Sequence, residues 1–117
     1  MKDCIKSVNL TKLYVVGEER VEAVSNINLS VNKGEFVSIY GRSGSGKTTL
    51  LNLLAGLEIP SDGFVEINGS NLNNMNDKEI SSLRKKEIGF VFQTFSLLPL
   101  LTAYENVELP LRILEMD

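Results

Sequence analysis

The sequence predicts an α/β fold in which an antiparallel β-layer precedes a strand, a glycine-rich loop and a helix. Polar and apolar residues alternate strictly over Asn26–Val31, which is typical of a half-buried strand. Further along, the apolar run Phe36–Tyr40 leads into Gly41–Thr48, and helix formers follow over Thr49–Leu57. A chain of 117 residues, 43% of them hydrophobic, is expected to form one globular domain or part of one.

Short strands are predicted in the first part of the chain wherever apolar residues cluster or alternate between turn residues. Besides Asn26–Val31, we expect strands at Ile5–Leu10, Val21–Val24, Phe36–Tyr40 and Phe64–Ile67. Asn32-Lys33-Gly34 is typical of a hairpin turn, and residues 68–77, with five asparagines, are predicted to be a loop.

Two capping-box patterns predict helices in the second part of the chain. Asn76 with Glu79 predicts a helix that runs to about Lys86, and Thr102 with Glu105 predicts another that Pro110 bends or ends. Between the two helices, the apolar residues 88–92 predict one more strand, which ends at Gln93.

The glycine-rich loop carries the clearest chemical signal. Residues 41–48 fit the P-loop pattern of Gly, four residues and Gly-Lys-Ser/Thr, with a strand before it and a helix after it. Glycines let successive N–H groups point into one concavity at a helix N-terminus, where anions are favoured. We therefore expect a nucleotide's phosphate chain to bind at Gly41, Arg42, Ser43, Gly44, Ser45, Gly46, Lys47, Thr48 and Thr49.

Lys47 adds a full positive charge that can reach the β- and γ-phosphates, and the Thr48 hydroxyl is a hard oxygen ligand for Mg²⁺. The alternative is a glycine-rich turn that caps a helix and carries a lysine by accident. The flanking strand and helix argue against it.

Composition narrows the function classes. A net charge of −3, from 12 basic and 15 acidic residues, gives no general attraction to nucleic acid, and we expect no nucleic-acid partner. The single cysteine, Cys4, cannot form an internal disulfide. No signal-peptide pattern and no apolar run of about 20 residues are present, so a cytosolic protein is expected.

Several stretches, taken together, resemble the nucleotide-binding subunit of ABC transporters, in the branch with lipoprotein-releasing, macrolide-export and antimicrobial-peptide-export ATPases. The resemblance is carried by Leu29–Leu57, Ser61-Asp62-Gly63, Ile88–Gln93, Leu97-Leu98-Pro99, Leu101-Thr102-Ala103 and Glu105–Leu111. It implies a P-loop NTPase core, with residues 1–117 as the N-terminal part of a single nucleotide-binding domain that stops inside the helical subdomain. It also implies ATP and Mg²⁺ as cofactors, a homodimer of the full-length subunit, and a cytoplasmic position at the inner face of the cell membrane.

The resemblance also implies roles for single residues. Tyr14 matches an aromatic residue that stacks on adenine, although it could instead pack beside Leu13. Ala23 is a weaker candidate for a small contact to the base. Lys47 and Gln93 are the catalytic candidates, because Gln93 matches a glutamine that approaches Mg²⁺ and the attacking water. An exposed amide at a strand end is the alternative for Gln93.

The apolar segment Phe95–Leu101 matches the region that receives a membrane-spanning permease subunit. Exposed apolar residues beside Gln93 suit that docking, although each could instead pack in the core of a helical subdomain. A regulatory or scaffolding ATPase at a membrane complex is the alternative function. A small kinase or GTPase is disfavoured by the antiparallel layer and by the lack of an Asn-Lys-x-Asp motif.

Three elements of the resembled family are missing from the sequence: a Leu-Ser-Gly-Gly-Gln-like signature, an apolar run ending in Asp-Glu, and any histidine. Phosphoryl transfer needs charge stabilisation from all sides of the γ-phosphate. We therefore expect this chain alone to bind nucleotide weakly and not to hydrolyse it.

Overall fold

The structure, a computed structural model, describes residues 3–94 and 96–115. Residues up to Asn76 form one unit and residues from Asp77 form a second. Across the described ranges, every helix falls short of the length and apolar content that a membrane crossing requires.

A long β-hairpin is the main feature of the first unit. Strand β1 (Asp3–Val16) pairs antiparallel with β2 (Glu19–Asn32). On its other side β1 pairs with β3 (Asp62–Ile67), and β3 pairs with the short β4 (Ser70–Asn71), which gives the order β2-β1-β3-β4. The predicted antiparallel β-layer is thus confirmed.

Both hairpin strands are longer than the alternation of apolar residues predicts. The first predicted strand continues past Leu10, and the two short strands predicted between Val21 and Val31 belong to one strand. Bulges explain the difference, because they let a strand continue where its alternation is interrupted.

Polar side chains fill the hydrogen-bonding gaps at these bulges. Asn9 and Asn26 adopt left-handed φ angles of 49° and 47°, which asparagine tolerates better than most residues. The buried Ser7 hydroxyl donates to the carbonyl of Ile27 and accepts from the N–H of Leu29, both at 3.0 Å. The Ser7 hydroxyl therefore makes the hydrogen bonds to β2 that backbone groups of β1 make elsewhere in the hairpin.

Helix α1 (Lys47–Leu54) follows the glycine loop and contacts β1 and β2. Ala55 is its C-cap residue, and Gly56 follows with a φ of 75°. The N–H groups of Gly56 and Leu57 donate to the carbonyls of Leu53 and Asn52. This C-terminal arrangement is the one that glycine favours. The buried apolar residues of this unit are Leu10, Val24, Leu53, Leu54, Ala55, Val65, Ile67 and Leu72.

Residues 68–77, predicted to be a loop, are partly ordered into β4 and one 3₁₀ turn, Leu72–Asn74. The Asn71 side chain accepts from the N–H of Asn73 at 2.8 Å and thereby caps the turn. An asparagine-rich sequence thus marks a local cap as well as a loop.

The second unit contains two helices that contact each other, α2 (Asp77–Glu87) and α3 (Ala103–Glu115). The predicted capping box is confirmed: the Thr102 N–H donates to Glu105 Oε1 at 2.9 Å and the Glu105 N–H donates to Thr102 Oγ1 at 3.1 Å. Pro110 does not end α3, because a proline removes one helical hydrogen bond while its neighbours keep theirs.

Two predicted strands are wrong. Residues 36–40 and 88–92 have no strand structure, and Phe36, Tyr40 and Val91 expose 96%, 93% and 96% of their surface. A strand forms only when a neighbouring strand satisfies its N–H and C=O groups. In the described part of the chain, no segment pairs with either run. Apolar sequence alone is therefore not enough to make a strand here.

Candidate functional site

The N-terminus of α1 is the first part of the candidate site. Gly44 and Gly46 have left-handed φ angles of 80° and 97°, and Gly46 is the N-cap residue. No side chain caps the helix and no acidic residue lies in its first turn. The first N–H groups of α1 and the positive end of its dipole therefore favour an anion.

The backbone of β2 holds the glycine loop closely. A Cβ placed on Gly46 would lie 2.1 Å from the carbonyl oxygen of Ala23, a distance no real Cβ tolerates. Glycine is needed here for space as well as for its φ angle. Ala23, predicted to contact the base, thus lies directly beside the loop.

The Lys47 ammonium lies against the loop that precedes it. It donates to the carbonyls of Gly41 and Arg42 at 2.6 and 2.7 Å, and Ser45 Oγ lies 3.4 Å away. Neutral carbonyls are weaker acceptors for an ammonium than phosphate oxygens are. A phosphate at the α1 N-terminus would therefore compete well for this lysine.

The residues of this site fit a magnesium–nucleotide complex. Thr48 is exposed in the first turn of α1, next to Lys47, so its hydroxyl oxygen lies at the same helix end as the anion-binding N–H groups. Within residues 3–94 and 96–115, no group of three or more His, Cys, Asp or Glu side chains is placed to hold a metal ion. Mg²⁺ usually keeps several waters and shares a protein site with phosphate oxygens. The donor set here fits that mode of binding.

Tyr14 lies next to the first turn of α1. Its hydroxyl donates to Glu58 Oε1 at 2.5 Å. The hydrogen bond to Glu58 and burial raise the pKa of the Tyr14 phenol above its ordinary value of 10.0, and a hydrogen bond with Thr49 acts in the opposite direction. The structure thus brings the predicted base-stacking residue together with a residue of the predicted phosphate site.

Two further residues surround Tyr14. Lys12 Nζ lies 3.6 Å from Glu58 Oε1 and 5.3 Å from the centroid of the Tyr14 ring. It also donates to the carbonyl of Ile59 at 2.7 Å. Lys12 and Tyr14 are two residues apart on β1, but a register shift between Lys12 and Leu13 interrupts the alternation, so this spacing alone does not predict a shared face. Glu58 comes from a loop 44 residues later, and no local pattern signals it.

Gln93 belongs to the second unit, where it is exposed in a bend after residues 88–92. The other predicted site residues belong to the first unit. The roles of Gln93, of Tyr14 and of the loop residues toward a nucleotide and metal stay predictions.

The predicted docking segment is exposed along most of its described length. Leu97, Leu98 and Leu100 expose 65%, 48% and 97% of their surface, and Phe95 lies outside the described residues. Asn106 of α3 organises this segment: its Oδ1 accepts from the Leu98 N–H at 2.9 Å, and its Nδ2 donates to the carbonyls of Leu98, Leu101 and Thr102.

Comparison with known proteins agrees with this geometry. A family model described as ABC transporter matches residues 24–117. The chain is 53% identical over 107 residues to the uncharacterized ABC transporter ATP-binding protein MJ0796 of Methanocaldococcus jannaschii, across 92% of this chain and 46% of that protein. It is 45% identical over 109 residues to the bacitracin export ATP-binding protein BceA of Halalkalibacterium halodurans, across 93% of this chain and 43% of BceA.

The name of a third relative includes both an ATP-binding part and a permease. It is the macrolide export ATP-binding/permease protein MacB of Bdellovibrio bacteriovorus, 42% identical over 102 residues, across 87% of this chain and 16% of MacB. The chain spans about half the length of the curated relatives MJ0796 and BceA.

Solved structures match the fold as well. A dimeric structure of the MJ0796 ATP-binding cassette, in a post-hydrolysis state with ADP and Pi, superposes with a TM-score of 0.92 at 50% identity and covers 97% of this chain and 49% of that one. A second dimeric MJ0796 structure gives a TM-score of 0.91 at 52% identity, over 94% and 47% of the two chains. The chain belongs to the ABC transporter family and corresponds to part of its nucleotide-binding domain.

Proposed function

We propose that this chain forms the phosphate- and base-binding part of the ATP-binding subunit of an ABC transporter. One observation carries the proposal: the Lys47 ammonium lies over a glycine loop that ends at the uncapped N-terminus of α1. A lysine charge, a helix dipole and several N–H groups at one place are what a triphosphate requires.

Each part of MgATP has a candidate partner in this proposal. The loop N–H groups from Gly41 to Thr49, together with Lys47, bind the phosphates. The Thr48 hydroxyl is a ligand to Mg²⁺, which neutralises phosphate charge when it is bound. The ring of Tyr14 stacks on the adenine, since an aromatic face suits any purine.

Gln93 is proposed to act at the reacting end of the nucleotide in the whole protein. Its amide both donates and accepts hydrogen bonds, so it can orient a water molecule beside Mg²⁺. Hydrolysis needs further groups around the γ-phosphate, and we propose that this chain alone binds MgATP without hydrolysing it.

The exposed segment up to Leu101 is proposed to dock a membrane-spanning permease subunit. Its leucines offer apolar surface, and Asn106 fixes their backbone, which lowers the entropy lost on docking. Names such as that of MacB support a permease partner. The whole subunit would then be a homodimer in the cytoplasm, at the inner face of the membrane.

Isothermal titration calorimetry tests the nucleotide-binding proposal. MgATP is titrated into the unmodified chain, into Lys47→Ala, and into Lys33→Ala as a control, since Lys33 is exposed in the turn after β2. We expect Lys47→Ala to weaken binding at least about tenfold, because an ammonium–phosphate hydrogen bond is lost, and Lys33→Ala to bind like the unmodified chain. Equal binding by both variants, or no binding by a chain shown to be folded, would refute the proposal.

A further inference from the structure

The acidic residue beside Tyr14 is not assigned a role by the proposed function. Glu58 Oε1 accepts the Tyr14 hydroxyl at 2.5 Å and lies 3.6 Å from Lys12 Nζ. The side chains of Lys12 and Glu58 expose only 17% and 24% of their surface. This is therefore a sheltered ion pair with a phenol bound to it, and solvent competes with it less than with a fully exposed pair.

Glu58 and Lys12 restrain the Tyr14 ring at its tip and at one face. At its tip, a hydrogen bond to a carboxylate is short and strong, so it limits rotation of the ring. At one face, Lys12 Nζ lies 5.3 Å from the ring centroid. Lys12 is itself tethered, because it donates to the carbonyl of Ile59 at 2.7 Å.

We infer that Glu58, held by Lys12, is a positioning residue that fixes the Tyr14 ring for a purine to stack on the face opposite Lys12. The inference rests on the proposed function, because it takes Tyr14 as the base-binding residue. Glu58 and Lys12 are not catalytic residues in it, since both act through Tyr14.

The bound hydroxyl also bears on base selectivity. The Tyr14 hydroxyl already donates its only proton to Glu58, so it has none to offer to the edge of a base. The contact that remains is the face of the ring, and stacking is tolerant of base identity. ATP and GTP are therefore expected to bind this chain with similar affinities.

Comparing two ligands separates base positioning from folding. Binding of MgATP and of magnesium tripolyphosphate, which has no base, is measured for the unmodified chain, Glu58→Ala, Glu58→Gln and the control Glu18→Ala. Stacking on an aromatic ring contributes roughly 5- to 150-fold to affinity. We expect Glu58→Ala to lose part of it, about three- to tenfold for MgATP, and nothing for tripolyphosphate.

The conservative variants sharpen the test. Glu58→Gln keeps an oxygen that accepts the hydroxyl, so it is expected to bind MgATP better than Glu58→Ala does. Tyr14→Phe keeps the ring and removes the hydroxyl, so its loss should match that of Glu58→Ala. The double variant should lose no more than either single variant, because both remove the same interaction.

The outcomes are distinct. If Glu58→Ala weakens MgATP and tripolyphosphate equally, Glu58 merely stabilises the fold and the inference is wrong. Unchanged MgATP binding in Glu58→Ala overturns it as well. If the folded, unmodified chain binds neither ligand, the proposed function fails and the inference fails with it. Lys47→Ala, in contrast, is expected to weaken the binding of both MgATP and tripolyphosphate, whereas Glu58→Ala weakens only that of MgATP. This difference is expected if phosphate binding and base positioning are separate.

Discussion

The carbonyl oxygen of Ala23 lies only 2.1 Å from the position that a Cβ on Gly46 would occupy. Strand β2 and the glycine loop are thereby in direct backbone contact. Since Gly46 is also the N-cap of α1, this contact sets where the helix begins relative to the hairpin. The position of the anion-binding N–H groups thus depends on the absence of a Cβ at Gly46.

Replacing Gly46 with alanine is predicted to cost more than replacing Gly44. Both have left-handed φ angles, which cost a residue with a Cβ about 1–2 kcal/mol. Only Gly46 also meets a carbonyl, whereas nothing lies within 4 Å of a Cβ on Gly44. We expect Gly46→Ala to lower the free energy of unfolding by at least about 1 kcal/mol more than Gly44→Ala does. Urea unfolding measures the difference, and equal losses would contradict the contact.

Ser7 is predicted to stabilise the hairpin although it is a small polar residue. Ser7→Ala leaves the Ile27 carbonyl and the Leu29 N–H without their bonds to the hydroxyl. An unsatisfied buried polar group costs about 1–3 kcal/mol, so the urea midpoint should fall clearly. Ser30→Ala, at an exposed position of β2, is the control and should stay within about 0.5 kcal/mol of the unmodified chain. A Ser7→Ala variant as stable as this control would show that water replaces the hydroxyl.

Tyr14 is predicted to ionise at higher pH in the folded chain than in the unfolded one. Its raised pKa means that folding favours the protonated phenol, which donates to Glu58. This contribution to stability is complete below the unfolded pKa of 10.0 and is lost as pH rises through the folded pKa. Ultraviolet titration of the Tyr40→Phe/Tyr104→Phe variant follows Tyr14 alone.

Glu58→Gln in that same background supplies the comparison. The amide still accepts the hydroxyl but carries no charge, so the Tyr14 pKa should move down toward 10.0. If the pKa is the same with glutamate and with glutamine, the Tyr14–Glu58 hydrogen bond does not determine it.

Asn106 is predicted to hold the segment that precedes α3. Its side chain accepts from the Leu98 N–H and donates to three carbonyls of residues 98–102. Hydrogen exchange of the Leu98 amide should quicken in Asn106→Ala, because its acceptor is lost. Asn106→Asp keeps the accepting oxygen and should retain more protection. Exchange that is equally fast in all three proteins would show that this contact does not restrain the segment.

The sequence predicts the glycine loop and the helix after it better than it predicts the strands. The glycine spacing of residues 41–48 locates the loop and helix because φ angle, helix N-terminus and lysine are all local properties. The capping box at Thr102 is local too, and it is confirmed. Phe36–Tyr40, in contrast, has the apolar residues of a strand, but no strand among residues 3–94 and 96–115 pairs with it, and pairing is a property of the whole sheet.

Other parts of the site depend on contacts between distant residues. Glu58 meets Tyr14 across 44 residues, and Gly46 meets Ala23 through the packing of α1 against the hairpin. The full length of β1 and β2 was not predicted, because Ser7 and the asparagines at the bulges replace backbone–backbone hydrogen bonds with side-chain hydrogen bonds. The periodicity of apolar residues does not indicate where side-chain hydrogen bonds take the place of backbone ones.

Mapping MgATP onto the backbone amides by NMR tests the central claim most directly. Two-dimensional ¹⁵N spectra of the unmodified chain are recorded as MgATP is added. The account predicts that the largest shifts fall on the amides of Gly44, Gly46, Lys47 and Thr48, with smaller ones near Tyr14, because phosphate accepts from the N–H groups at the start of α1. Shifts confined to other basic surfaces, such as Lys85 and Lys86 of α2, would contradict it, as would the absence of any shift at saturating MgATP.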